Sequence, residues 1–422
     1  MKHLNCFHAA EILLPDFEKV NGTLWSAVAC DQYTSEPEYW ERADATVGNA
    51  PSTLRLMLPE LYLEDSERRI PLIHAAMKDA LEQTLVAHPN AMIYLERTQS
   101  DGRVHRGIVG AVDLNAYDYH KGSTSPIRAT EGTVLERIPP RVAVRRDAPL
   151  ELPHVMLLID DPKRTVVEAC VETAKQKTPV YDFDLMLDGG HVKGYLLTEA
   201  EQAALKQSLE ALVLPDALSE RYGDGTVAPL LFAVGDGNHS LATAKASFEE
   251  IRREIGDEAA QNHPARYALA EVVNLHDDAL EFEPIYRVLF GVDKTSLVAE
   301  LEDYLRDLHG DAAPQRLLMV SDAEERWFDI PAPLQQLAVG TLQTFLDAYL
   351  KSHPTVKVDY IHGEDSLRRL ASEPNAVGFL FDGMRKDELF RTVIRDGALP
   401  RKTFSMGHAQ DKRYYLECRK IR

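Results

Sequence analysis

LLFAVGDGNHSLATAK, residues 230–245, decides how this chain is read. Leu230 to Val234 is a short apolar run with the look of a buried strand. It passes straight into Gly235-Asp236-Gly237-Asn238-His239-Ser240, and a helix-forming sequence follows, LATAKASFEEIRREIG. A strand feeding a glycine-bearing polar turn that opens a helix makes an anion site. The first N–H groups of a helix lack internal partners, and its macrodipole is positive there. Gly237 lets a ligand approach the backbone, Asp236 suits a hydroxyl or a metal, and Asn238, His239 and Ser240 suit phosphate oxygens. The plainer alternative is a tight turn with Asn238 or Ser240 capping the helix.

Outward from this element, strands and helices alternate. Ser66–Ala87 reads as an amphipathic helix ended by His88-Pro89-Asn90. Ala91–Arg97 and Val104–Leu114 read as antiparallel strands joined through Gln99-Ser100-Asp101-Gly102. His154–Ile159 reads as a buried strand, Thr165–Lys175 as a helix, and the flanks of Asp188-Gly189-Gly190 as a strand pair. Thr198–Leu212 is a helix with a capping box, Thr198 with Glu201. Further strands are expected at Tyr267–Leu275, Arg316–Ser321, Trp327–Ile330, Val377–Asp382 and Arg413–Cys418. Helices are expected at Thr295–Leu308 and Leu334–Tyr349. The fold class is therefore α/β in a mixed, α+β arrangement, with mixed sheets and interspersed helices. Residues 1–285 form a main α/β domain and 286–422 a C-terminal α/β part, with a soft boundary near Pro284–Asp293.

Composition bounds the function. Lys plus Arg number 47 and Asp plus Glu 67, a formal charge of −20, which argues against nucleic acid as the main partner. With 45% hydrophobic residues there is material for a core. The four cysteines, Cys6, Cys30, Cys170 and Cys418, form no C-x-x-C pair, so neither a zinc site nor a disulfide framework is read, and a reducing cytoplasm is expected. The sequence holds no apolar run of membrane-spanning length and no metal-ligand spacing such as H-E-x-x-H. It also lacks a Walker A loop, a G-x-G-x-x-G after a strand, and a G-x-S-x-G elbow.

Two further clusters carry charge. RATEGTVLERIPPR, residues 128–141, sets Arg128, Arg137 and Arg141 near Thr130 and Thr133, the residue types that grip carboxylate or phosphate. Glu131 lies where a general base would serve such a pocket; the alternative is a solvated loop of mutually paired charges. LPRKTFS, residues 399–405, offers Arg401 and Lys402 to an anionic ligand, or is a plain basic loop.

These blocks resemble the family of proteins grouped as domain of unknown function 1015. The likeness lies in GIVGAVDL with IRATEGTVLERIPPR (Gly107–Arg141), in LLFAVGDGNHSLATA (Leu230–Ala244) and in GALPRKTF (Gly397–Phe404). Many members have Asp-Gly-His-His-Arg where this chain has Asp236 to Ser240. Here Asp236, Gly237 and His239 match, Asn238 replaces a His and Ser240 replaces the Arg. Many members also have His-Glu-Lys-Thr, of which Glu131 and Thr133 match. The turn is also similar to that of the ParB and sulfiredoxin-like group, some of whose members are free-serine kinases that use a nucleotide.

The resemblance implies a phosphoryl-transfer enzyme, kinase- or phosphatase-like, acting on a small hydroxy or phospho metabolite such as serine or phosphoserine, with ATP or ADP and Mg²⁺ as cofactors. Glu131, Asp236 and His239 would be catalytic. Arg128, Thr133, Arg137, Arg141, Gly237, Asn238, Ser240, Arg401 and Lys402 would bind substrate or phosphate, with no resident metal. Loss of the motif Arg at Ser240 supports the alternative, a non-catalytic nucleotide- or phosphate-binding regulator. The expected partner is a small molecule rather than a membrane or nucleic acid, and the sequence leaves the oligomeric state open.

Overall fold

The computed structural model describes residues 6–120, 122–133, 138–153, 155–322, 324–407 and 409–422. They divide into two compact units: 1–129, 133–280 and 408–422 form the first, and 130–132 with 281–407 the second. The last residues, from 409 on, group with the first unit. Between 280 and 281 the chain passes from the first unit to the second, just before the strand Phe282–Phe290.

The first unit is built on a ten-stranded mixed sheet. Its order is Tyr181–Asp184, His191–Leu196, Ile93–Thr98, Val104–Asp113, Tyr267–Asn274, Met156–Ile159, Phe232–Asp236, Ile127–Ala129 and Tyr117–Asp118, with Phe7–His8 against Val104–Asp113. The expected hairpin is present: Gln99 N–H donates to Arg103 O, and Gly102 takes the positive φ of 86° that the turn needs. Side chains alternate across the sheet, so each strand feeds two cores. Ile93, Leu95, Val109 and Leu269 pack on one face with Trp25, Trp40 and Tyr415. Tyr94, Ile108, Phe232 and Val272 pack on the other with Leu241 and Phe248. Thr198 and Glu201 close their capping box on the helix Glu199–Ala211.

Three expected elements differ. The helix that begins at Ser66 stops at Gln83, and Leu85–Ala91, Pro89 included, is a strand antiparallel to Ala10–Pro15. Thr165–Lys175 is helical from Glu168 to Ala174, a 3-10 turn followed by one α-turn, and its start is held as a turn by the Asp161 carboxylate, which accepts the N–H groups of Thr165 and Val166. Arg413–Cys418 is no ladder strand; it is pinned by isolated bridges, Val28 to Tyr414 and Leu13 to Cys418.

The pinned segment carries charge into the interior. Arg413 is 6% exposed and pairs with Glu271 and Glu417, which are 2% and 0% exposed. His105 Nε2 lies 2.7 Å from Glu271, and Tyr181 donates its hydroxyl to Glu417 at 2.7 Å. Gly107 lies beneath this network because a Cβ there would stand 2.0 Å from Glu271 Oε1. The second unit has its own sheet, ordered Glu325–Ile330, Gln315–Val320, Ala376–Leu380, Phe282–Phe290 and Lys357–His362, with Phe404–Met406 beside the start of Phe282–Phe290.

Burial pushes the Glu271 carboxyl up, but the Arg413 guanidinium and the His105 imidazole outweigh it and bring it from the ordinary 4.5 to about 2. A carboxylate depressed in the folded state gives stability that is complete above its unfolded value and is lost as pH falls through the folded one. Acid titration of unfolding should therefore show a loss of order 3 kcal/mol from this group as pH falls from 4.5 toward 2. Glu271→Gln should remove that part of the slope, and an unchanged slope would refute the assignment.

Candidate functional site

The decisive stretch folds as strand Phe232–Asp236, one residue of turn, and helix Asn238–Ile255. The helix begins two residues before the expected Ser240, so Asn238, His239 and Ser240 make its first turn. Neither Asn238 nor Ser240 caps it: the cap position is Gly237, in the left-handed region at φ 78°. A side chain there would crowd the following carbonyl, which is why glycine stands at this corner. Asp236 folds back so that its Oδ1 accepts Gly237 N–H at 3.0 Å. Thr243 donates its hydroxyl to His239 O at 2.7 Å, and Asn238 Nδ2 reaches Val234 O at 3.4 Å.

A cation stands beside this turn. Lys412 Nζ lies 3.5 Å from Asp236 Oδ2, with both side chains largely buried. Sequence reasoning missed Lys412, because it is 176 positions from Asp236 and carries no local motif. The structure thus sets an ammonium group next to this turn.

The 128–141 block spreads out. Arg128, in the strand Ile127–Ala129, lies opposite Ala233 in a parallel pair, so both strands end at one sheet edge. Its guanidinium is buried and donates to the carbonyls of Ser125 at 2.7 Å, Ala228 at 2.9 Å and Pro229 at 3.1 Å. Burial lowers its pKa. Arg128 therefore clamps backbone leading into the Phe232–Asp236 strand, where an anion grip was expected. Thr133 keeps its hydroxyl oxygen shut from solvent with no hydrogen-bond partner among the described residues. Arg137 lies outside the described residues. Arg141 sits on the helix Ile138–Arg145, whose Ile138 and Val142 pack on Ala242 of the motif helix. It donates to Glu60, with Nε at 3.1 Å, so its charge is already met.

In the second unit, Glu131 and the 399–405 loop come together. Thr130 O accepts Leu399 N–H, Leu399 O accepts Gly132 N–H, and Glu131 Oε1 accepts Lys402 N–H at 3.2 Å. Lys402 is left-handed at φ 54°. Arg287, also missed by sequence reasoning, is wholly buried and donates to Lys402 O at 2.9 Å, Arg401 O at 3.2 Å and Gln343 Oε1 at 3.1 Å. Arg287, Arg401 and Lys402 all lie over the Tyr360 ring, at 5.0, 5.6 and 5.1 Å. Burial lowers the Arg287 pKa to about 10, offset in part by Tyr360 and Glu131. Among the described residues no set of three His, Cys, Asp or Glu side chains is arranged to hold a metal ion, and no helix is long and apolar enough to cross a membrane.

Comparison with known proteins gives a family and distant structures. The family model described as "Protein of unknown function (DUF1015)" matches residues 14–349. No curated protein matches the chain. Among solved structures, a mutant free serine kinase in complex with ADP is 12% identical, covering 72% of this chain and 92% of its own at a TM-score of 0.38. A conserved hypothetical protein from Pyrococcus furiosus is 10% identical, covering 72% and 95% at 0.34. SbnI from Staphylococcus aureus, truncated at its C-terminus, is 10% identical, covering 71% and 82% at 0.35.

The left-handed corner gives a direct test. Gly237→Ala should cost about 1–2 kcal/mol in chemical unfolding, and Gly237→Asn less, because Asn tolerates that region. An Ala variant as stable as the wild type would show that residue 237 is not held left-handed.

Proposed function

The chain belongs to the DUF1015 family, and on that premise we propose a phosphoryl-transfer enzyme, kinase- or phosphatase-like, for a small hydroxy or phospho metabolite such as serine or phosphoserine. The observation that carries this reading is the Asp236–Ser240 corner: a glycine-capped helix start, an adjoining carboxylate and a buried ammonium group. Its likeness to the ParB and sulfiredoxin-like turn is part of the same proposal. A bound ATP supplies the transferable phosphoryl group. The first-turn N–H groups and Lys412 would hold phosphate oxygens, and His239 would donate to them. Asp236 would accept a hydroxyl or ligate Mg²⁺, which commonly needs only one or two carboxylates beside the substrate's own phosphates. Phosphoryl transfer asks chiefly for position and charge neutralisation, so a set this sparse is sufficient. Glu131's part rests on its sequence block alone, as the group that accepts the substrate hydroxyl proton. Ser240, which removes the family's guanidinium, favours the second reading, a nucleotide- or phosphate-binding regulator without turnover.

Thermal denaturation with ATP, ADP, serine and phosphoserine, with and without Mg²⁺, tests the site. Ligand at about 100 times its Kd stabilises the native state by about 2.7 kcal/mol, a shift of several degrees. A nucleotide should raise the melting temperature. Lys412→Met should weaken that nucleotide by roughly 10–100-fold, the value of one charge-assisted hydrogen bond of about 1.5–3 kcal/mol. No shift with any of the four compounds would end the reading.

Glu131→Gln separates the enzyme from the regulator. The Gln side chain still accepts Lys402 N–H, so folding and nucleotide binding should persist while turnover drops by roughly 10²–10⁴-fold. A Gln variant that turns over a substrate at the wild-type rate would end the role of Glu131 as base.

A further inference from the structure

The motif helix faces more than its own N-terminus. A recess of about 170 Å³ in the first unit is lined along one side by Ser240, Leu241, Thr243 and Ala244. Met57, Met77 and Leu269 also line it. Leu241 and Ala244 are three apart and so lie on one helix face. The recess therefore starts at Ser240, a residue of the proposed phosphate corner, and continues down the same helix. From Asn238 to Ala244 the axial rise is about 9 Å, at about 1.5 Å per residue.

We propose that this recess seats the base of a nucleotide whose phosphates lie at the Gly237–Ser240 corner. The inference rests on the nucleotide reading above and deepens it. Size argues for a base: an apolar cavity of roughly 150 Å³ admits a benzene ring, so a space of about 170 Å³ takes one flat ring system and no sugar. The polar groups argue against an acyl chain. The walls also hold two ion pairs, Arg141 with Glu60 and Arg145 with Glu151. A heteroaromatic edge with donors and acceptors has partners there, whereas an alkyl chain would desolvate charged groups and return no hydrogen bond. The sequence order fits as well: the helix start takes the anion, and the apolar residues that follow take the ring.

Titration calorimetry on the full chain with ADP and with inorganic pyrophosphate tests this. Two variants fill the recess from different elements, Ala244→Leu from the helix and Leu269→Phe from the sheet. ADP should bind the wild type more tightly than pyrophosphate. Each filled variant should lose at least about tenfold in ADP affinity, the scale of a misfit by one or two carbons, and keep its pyrophosphate affinity. Retained pyrophosphate binding also shows that the variants fold. Filled variants that bind ADP like the wild type would overturn the base seat while leaving the nucleotide reading standing. Wild-type affinities equal for ADP and pyrophosphate would do the same. A wild type that binds neither ligand would overturn both.

Discussion

Arg413 is the interaction on which the first unit depends. A guanidinium 6% exposed is tolerable only if its charge is matched, and Glu271 and Glu417 match it from two directions. Burying such ions is costly, and breaking one side of the set leaves an uncompensated charge. The network also dictates local sequence, with Gly107 opposite Glu271 where any side chain would intrude. Arg97, itself buried, donates to the carbonyls of Asp411 and Lys412 and so fixes the backbone one step before Arg413. Arg97 thereby fastens the Lys412 backbone, and the ion pairs of Arg413 anchor the next residue along. The ammonium group beside Asp236 is thus positioned by an ion network that does not include it.

That link bears on where the cation beside this turn comes from. The motif helix carries no cation at Ser240, and Lys412 brings one from a segment far away in sequence. A cation on the first turn of a helix opposes the positive end of the macrodipole. A cation brought from another segment avoids this, because its position is set by tertiary packing. It needs the C-terminal segment in place, so the charge beside the Gly237 corner depends on how residues 409–422 pack in the first unit.

The parts legible in sequence were those whose cause is local. The strand, the glycine corner and the helix after it follow from residues 230–245 alone, as do the Thr198–Glu201 capping box and the hairpin at Gly102. The parts that were not legible depend on distant partners. His88-Pro89-Asn90 looks like a helix stop, but Ala10–Pro15 lies alongside and makes it a strand. Arg128 looks like an anion grip, but three carbonyls of the surrounding backbone claim it. Arg413–Cys418 reads as a strand in sequence, but its neighbours are reached only at single bridges while its charges are buried. Arg287 and Lys412 had no sequence signal, since a lone cation declares itself only through what it touches.

Arginine and lysine divide their work in this protein along chemical lines. Arg128, Arg287 and Arg413 are buried and serve fixed acceptors, and a planar fork of five donors suits that task. Arg128 and Arg287 are saturated largely by carbonyls, which satisfy hydrogen bonds without cancelling charge; burial lowers the pKa of both. A guanidinium so committed has few donors left for a ligand. Lys412 instead meets Asp236 through one contact at 3.5 Å, longer than a firm charge-assisted hydrogen bond. An ammonium group held at that distance is less firmly committed than these guanidinium groups. The buried arginines are thus held by acceptors of the fold itself, whereas Lys412 meets a single carboxylate, Asp236, beside the Gly237 corner.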